Sequence, residues 1–186
     1  MRDYIIMTDS CCDLSQQEVE ELDLTVLPLS FTIEGKTLLN TPDHADLSPE
    51  EFFKKIAEGA DCTTAAVNVG QFTDAMEKVL DEGKDILCIC FSSALSTTYQ
   101  SACIAASDLR EKHPGAKIIV IDSLSASRGQ GMLLYRTVRE RREKGLDIDA
   151  LASYVDSIIQ SQDHWFFVDD LNHLKRGGRV SATAAL

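Results

Sequence analysis

Ile86-Leu87-Cys88-Ile89-Cys90-Phe91-Ser92-Ser93-Ala94-Leu95-Ser96-Thr97-Thr98-Tyr99 decides how this chain is read. The apolar run over 86–91 has the length and composition of a strand. Ala102, Ile104, Ala105, Ala106 and Leu109 then recur at helical spacing. The stretch between them is therefore a strand-to-helix turn, which in an open α/β sheet lies at the carboxyl end of a strand, where ligands bind. It carries the hydroxyls of Ser92, Ser93, Ser96, Thr97 and Thr98. The N–H groups that open the following helix add donors and a positive dipole end. A carboxylate or a phosphate suits such a place. The competing reading is that Ser96 only caps the helix.

Outward from this turn the pattern repeats. Upstream, residues 4–7 form an apolar strand ending in Thr8-Asp9-Ser10-Cys11-Cys12-Asp13-Leu14. Ser15, with Glu18 three residues on, starts a short helix to Leu22 as a capping box. Residues 24–29 read as a strand that Pro28 restricts to an edge or a bulge. Residues 31–39 read as a hairpin turning at Glu34-Gly35. Ser48-Pro49-Glu50-Glu51 opens a helix carrying Phe52, Phe53, Ile56 and Ala57, which Gly59 ends. Thr63-Thr64-Ala65-Ala66-Val67-Asn68 reads as a second hydroxyl-bearing loop before a helix over 69–80. Downstream, residues 117–121 are an apolar strand followed by Asp122-Ser123, and Gly129-Gln130-Gly131 opens a helix to about Lys144. A helix over 149–160 and a strand at Trp165-Phe166-Phe167-Val168 follow. The alternation from residue 62 onward predicts parallel βαβ units. Ser181 caps a final helical pattern, and the chain stops within it, as though a second domain had been removed.

Composition bounds the function. The 186 residues carry a net charge of −12, which argues against recognition of a phosphate backbone. With 44% hydrophobic and 26% charged residues, a packed core is expected. No signal-peptide pattern and no apolar run of membrane-spanning length occurs, so the expected compartment is the cytoplasm. The six cysteines form no zinc-type spacing, so no metal or cofactor is expected. Cys88 and Cys90 read as small buried residues, and the Cys11-Cys12 pair carries a minor redox reading. His44, His113, His164 and His173 fall away from the predicted strand-end loops, so serine hydrolysis lacks a positioned base and no catalytic residue is assigned. Gly129-Gln130-Gly131 completes no phosphate-binding motif and reads as a helix start needing close packing. Arg136 to Lys144 reads as a solvated basic face, and Lys175-Arg176-Gly177-Gly178-Arg179 as a basic turn of solvated charge or a docking point for an anion or acidic partner. Four loops, at Asp9-Ser10, Thr63-Thr64, 92–98 and Asp122-Ser123, are expected to converge on one sheet edge as a binding cleft.

These segments together resemble the DegV family, which includes the fatty-acid-binding subunits of bacterial fatty acid kinase. The resemblance rests on 8–14, Leu27-Pro28-Leu29, 64–72, 92–99, Ile121-Asp122-Ser123, and 169–181, in family order over nearly the whole chain. It implies an α/β fold with a mainly parallel sheet flanked by helices, an N-terminal domain over 1–163 that binds the lipid head group, and the start of a second α/β domain at 164–186. It implies a carrier rather than an enzyme, one that binds a long-chain fatty acid and holds its carboxylate for phosphorylation by a separate kinase subunit. The carboxylate-binding Thr and Ser of the family fall on Thr64 and on Ser96, with Ser93 the next candidate, and Arg179 adjoins the site or its docking surface. Two departures stand out: only Thr64 remains of the family's Thr-Ser-Gln-Pro-Ser, and Thr97 replaces a Gly. The alternative is a small-molecule or phosphotransfer enzyme using Asp9 or Asp122 as base in the same cleft.

Overall fold

A computed structural model describes residues 2–165, 167, 174, 175, 177 and 178. Four strands form a parallel sheet: β1 (Tyr4–Asp9), β2 (Leu24–Leu27), β6 (Asp85–Cys90) and β7 (Ile118–Asp122), in the order β2-β1-β6-β7. The register sets Thr8 against Val26 on one side and Ile89 on the other, and Ile89 against Ile121. Every residue of β6 is buried, as a continuous apolar run in a sheet covered on both faces requires.

Strand alternation sorts the core into two layers. Ile6, Leu87, Ile89 and Ile121 face one side. There they meet Val19 of α1 (Gln16–Leu22), Leu133, Leu134 and Val138 of α5 (Ser127–Lys144), and Leu151 and Val155 of α6 (Ile148–Ile159). Met7, Ile86, Cys88, Cys90 and Ile118 face the other. There they meet Phe72, Met76 and Leu80 of α3 (Val69–Asp81) and Ala102, Ala105, Ala106 and Leu109 of α4 (Thr98–Lys112). The alanines let α4 lie close to the strands. Cys88 and Cys90 are fully buried free thiols, in line with their sequence reading.

A second, antiparallel sheet has the order β4-β3-β5, from β3 (Ser30–Ile33), β4 (Lys36–Leu39) and β5 (Cys62–Ala65). The predicted hairpin is present, and Glu34 and Gly35 both take positive φ, the conformation of a two-residue type I′ turn. Phe31 stacks edge-on with Phe52 of α2 (Pro49–Ala57), which covers that face.

Four expectations change. Thr63 and Thr64 lie on a strand, β5, because the stretch completes a ladder with β3 that its composition does not announce. The alternation after residue 62 therefore does not begin with a strand of the parallel sheet. The strand expected over 24–29 ends at Leu27, since Pro28 cannot donate to a ladder and Leu29 N–H donates instead to Ser10 Oγ at 3.0 Å. Helix α5 starts at Ser127, ahead of Gly129. Of the strand expected at 165–168, Trp165 and Phe167 are exposed and not in a strand, while Phe166 and Val168 lie outside the described residues.

Candidate functional site

The strand order reverses direction between β1 and β6, which makes their carboxyl ends the topological switch point. One buried carboxylate holds that point together. Asp9, with no exposed surface, ends β1. Its Oδ2 accepts from the Phe91 N–H at 2.8 Å across the switch, and its Oδ1 accepts from the Cys11 N–H at 3.0 Å. Burial pushes the Asp9 carboxyl up, and those two N–H groups pull it back only partly. Behind it Gln130 Nε2 donates to Thr8 Oγ1 at 3.0 Å, and Thr8 Oγ1 donates to the Ile89 carbonyl at 2.7 Å.

The neighbouring loops are built the same way. Ser92 N–H donates to the Ser125 carbonyl at 3.1 Å, and Ser92 Oγ accepts from the Ala94 N–H at 3.3 Å. Asp122 ends β7, and its Oδ1 accepts from the N–H groups of Ser93 and Leu124, both at 3.1 Å. Ser10 Oγ takes the Leu29 N–H and, at 3.4 Å, the Asn40 side-chain amide, tying the entry to the small sheet onto the cleft. Three of the four predicted loops thus meet at one edge of the parallel sheet.

The candidate residues divide accordingly. Ser96 is half-buried at the start of α4; its Oγ accepts from the Thr98 N–H at 3.2 Å and lies 2.9 Å from Thr98 Oγ1. The cap position itself falls on Thr97, whose side chain caps nothing, so the capping reading of Ser96 is corrected to an i to i+2 turn. When Thr98 Oγ1 donates to Ser96, the Ser96 hydroxyl hydrogen is free for a ligand. Ser93 is exposed on the same loop, and its Oγ makes no hydrogen bond among the described residues. Thr64 is exposed on β5, opposite Phe31 and therefore on the face that α2 covers. The register places it one pair from Ala65 and Ser30, the residue after Leu29, which is bonded to Ser10. No hydrogen bond joins Thr64 to Ser93 or Ser96 among the described residues. Arg179, with Arg176, lies outside the described residues.

The chemistry open to the cleft is correspondingly narrow. Asp9 has both oxygens taken by backbone N–H groups and no exposed surface, so it is a clamp and not the general base that the enzymatic alternative asks for. Burial pushes the Cys12 thiol up to about 12 and the Cys11 thiol higher still, with Asp9 and Asp13 adding repulsion. Neither forms the thiolate that a redox role needs. Among the described residues no cluster of His, Cys, Asp and Glu has the geometry of a metal site, and no helix is long and apolar enough to cross a membrane.

Sequence reasoning missed the internal wiring. His164 was set apart from the loops, yet its Nε2 lies 3.0 Å from Ser125 Oγ, just after β7. The imidazole sits where a Gly129 side chain would be: a Cβ there would come within 2.0 Å of it. No carboxylate orients His164 among the described residues, so the pair is no triad. Gln130 and Asn40 gave no signal. The clamps did give one: the Asp-Ser pair that ends a strand occurs at both 9–10 and 122–123.

A parallel sheet covered by helices on both faces, with hydroxyls and backbone donors gathered at its switch point, is an α/β architecture. The chain matches, over residues 4–186, the family model described as "Uncharacterised protein, DegV family". It is 40% identical over 185 residues to a DegV domain-containing protein of Clostridium perfringens, covering 100% of this chain and 63% of that one. Among solved structures, a stearic acid-binding protein from Eubacterium ventriosum superposes with a TM-score of 0.87 at 29% identity, covering 98% of this chain and 64% of that one. A DegV family protein from Thermus thermophilus, described for its fatty acid binding, gives a TM-score of 0.82 at 33% identity and covers 98% of this chain and 62% of that one. The chain belongs to the DegV family. It spans a little under two thirds of the length of these relatives.

Proposed function

We propose that this chain binds a long-chain fatty acid and holds its carboxylate at the carboxyl edge of the parallel sheet for phosphorylation by a separate kinase subunit. In this reading it is a carrier, works in the cytoplasm, and comprises the head-group-binding domain over 1–163 followed by the beginning of a second domain. The observation that carries the reading is the likeness, along 98% of this chain, to a stearic acid-binding protein. The cleft supports it with the Ser96 hydroxyl beside the α4 N-terminus and Ser93 on the same loop, and in this reading Thr64, on β5 of the second sheet, supplies the other donor. Arg179 completes the head-group surface or its docking face.

Hydrogen bonds from Thr64 and Ser96 to a carboxylate are worth about 1.5–3 kcal/mol each. The tail supplies about 0.8 kcal/mol per CH₂ removed from water, in proportion to how much of it is covered. Titration calorimetry of delipidated protein with palmitate tests both parts. The part of its relatives that this chain does not span covers the tail in our reading, so the isolated chain binds palmitate weakly, and sub-micromolar affinity would overturn that. The Thr64→Ala, Ser96→Ala double variant lowers affinity at least about tenfold, the equivalent of one charge-assisted bond. Equal affinity of the variant and the parent would refute the head-group assignment.

A further inference from the structure

The parallel sheet ends on β7, whose outer edge pairs with no strand among the described residues. In a parallel ladder, successive residues turn their N–H and C=O groups to opposite sides. The Lys117 carbonyl accepts from the Ile86 N–H at 2.9 Å and the Ser123 N–H donates to the Cys90 carbonyl at 3.0 Å, so 117, 119, 121 and 123 face β6. Ile118, Val120 and Asp122 therefore face outward. Arg110 confirms this by donating from Nη2 to the Ile118 carbonyl at 2.6 Å, which blunts that end of the edge. Among the described residues, nothing pairs with the main-chain groups of Val120 and Asp122.

They form the floor of a cavity of about 350 Å³ between the walls of α4, at Tyr99, and α6, at Asp156 and Ile159. Such a slot between two helices could be filled by hydrocarbon or by backbone. Hydrocarbon would leave the Val120 and Asp122 groups desolvated and unpaired. An extended segment satisfies them. Charge selects which segment: Asp122 and Asp156 line the cavity, no Lys or Arg does, and the whole chain carries −12. A second copy of this chain would set like charges against each other.

We propose that the open edge of β7 is a docking strand for an extended, lysine- or arginine-bearing segment of a partner protein, which adds to the sheet between α4 and α6. The probe is a fluorescent hexapeptide of alternating Lys and Val, titrated into the whole chain by anisotropy, with amide hydrogen exchange followed residue by residue. Binding saturates, and the Val120 and Asp122 amides slow at least roughly tenfold while Ile119 and Ile121, already paired to β6, do not change. Asp156 is exposed, and Asp156→Lys weakens the peptide roughly tenfold, as like-charge juxtaposition requires. The proposal is overturned if Val120 and Asp122 exchange at the same rate at saturation, or if a Glu-Val peptide binds as well. It is also overturned if both amides are already as protected as Ile121 in the peptide-free chain, which would mean that the chain itself or a second copy fills the slot.

Discussion

At the scale of single residues, two carboxylates respond to pH with opposite signs. Burial raises Asp9, so the folded state binds its proton more readily than the unfolded state. That contribution is fully present below the unfolded value and is lost as pH rises through the folded one. Glu18 is the reverse. The Arg128 guanidinium holds it down to about 2 from an ordinary 4.5, through hydrogen bonds of 2.8 and 2.9 Å that fasten α1 to α5. Its contribution is present above 4.5 and lost as pH falls toward 2. The pair is solvent-accessible, so Glu18→Gln costs about 0.2–1 kcal/mol at pH 6. Urea unfolding at pH 6 and pH 2 checks it, and a difference that persists at pH 2 would contradict this account. Asp9→Ala strands the Phe91 and Cys11 N–H groups without an acceptor, a loss of about 1–3 kcal/mol for each, measurable in the same way.

Among elements, the contact of α5 with the turn over Ser10–Cys12 is a tight joint beside the cleft. A Cβ on Gly131 would lie 2.9 Å from the Cys12 carbonyl and 3.0 Å from Leu14 Cδ2. Gly131→Ala therefore destabilises by about 1–3 kcal/mol. Gly115, with nothing near its would-be Cβ, serves as the neutral control for Gly115→Ala in parallel denaturation curves. Equal effects of the two would remove the packing argument. The packing of this joint was legible, since Gly129-Gln130-Gly131 read as needing close packing, although the helix starts at Ser127. So were the long periodic elements, β1, β6, α3, α4 and α6, because their apolar spacing is set by the layers they pack between. β5 was not, since Cys62-Thr63-Thr64-Ala65 has no apolar alternation and owes its strand form to main-chain pairing with β3. For the same reason Thr63 and Thr64 were read as a loop, whereas the three loops of the parallel sheet were placed correctly from their Asp, Ser and Thr content. The hydrogen bonds of Asp9 with Phe91, Gln130 with Thr8 and His164 with Ser125 were illegible because they join residues far apart in sequence.

For the molecule as a whole, two core layers share one sheet, so stability is expected to be common to both and unequal at the margin. Phe72 and Leu134 are fully buried on opposite faces. Phe72→Ala and Leu134→Ala each lower stability by about 2–5 kcal/mol, and each leaves one transition for the entire parallel sheet. Two separated transitions in either variant would show that the faces melt independently. Helix α2 buries no residue and β4 is largely exposed, so their amides exchange before those of β1 and β6. The clamp at Asp9 has a temporal consequence as well. Its partner Phe91 is 82 residues away, and β1 lies between β2 and β6. During synthesis β1 can pair with β2 soon after both emerge, but its other edge stays open until the ribosome has released β6. Strand β1 is thus sealed late, and the nascent chain carries an apolar, unpaired strand edge while the 82 residues from Asp9 to Phe91 are made.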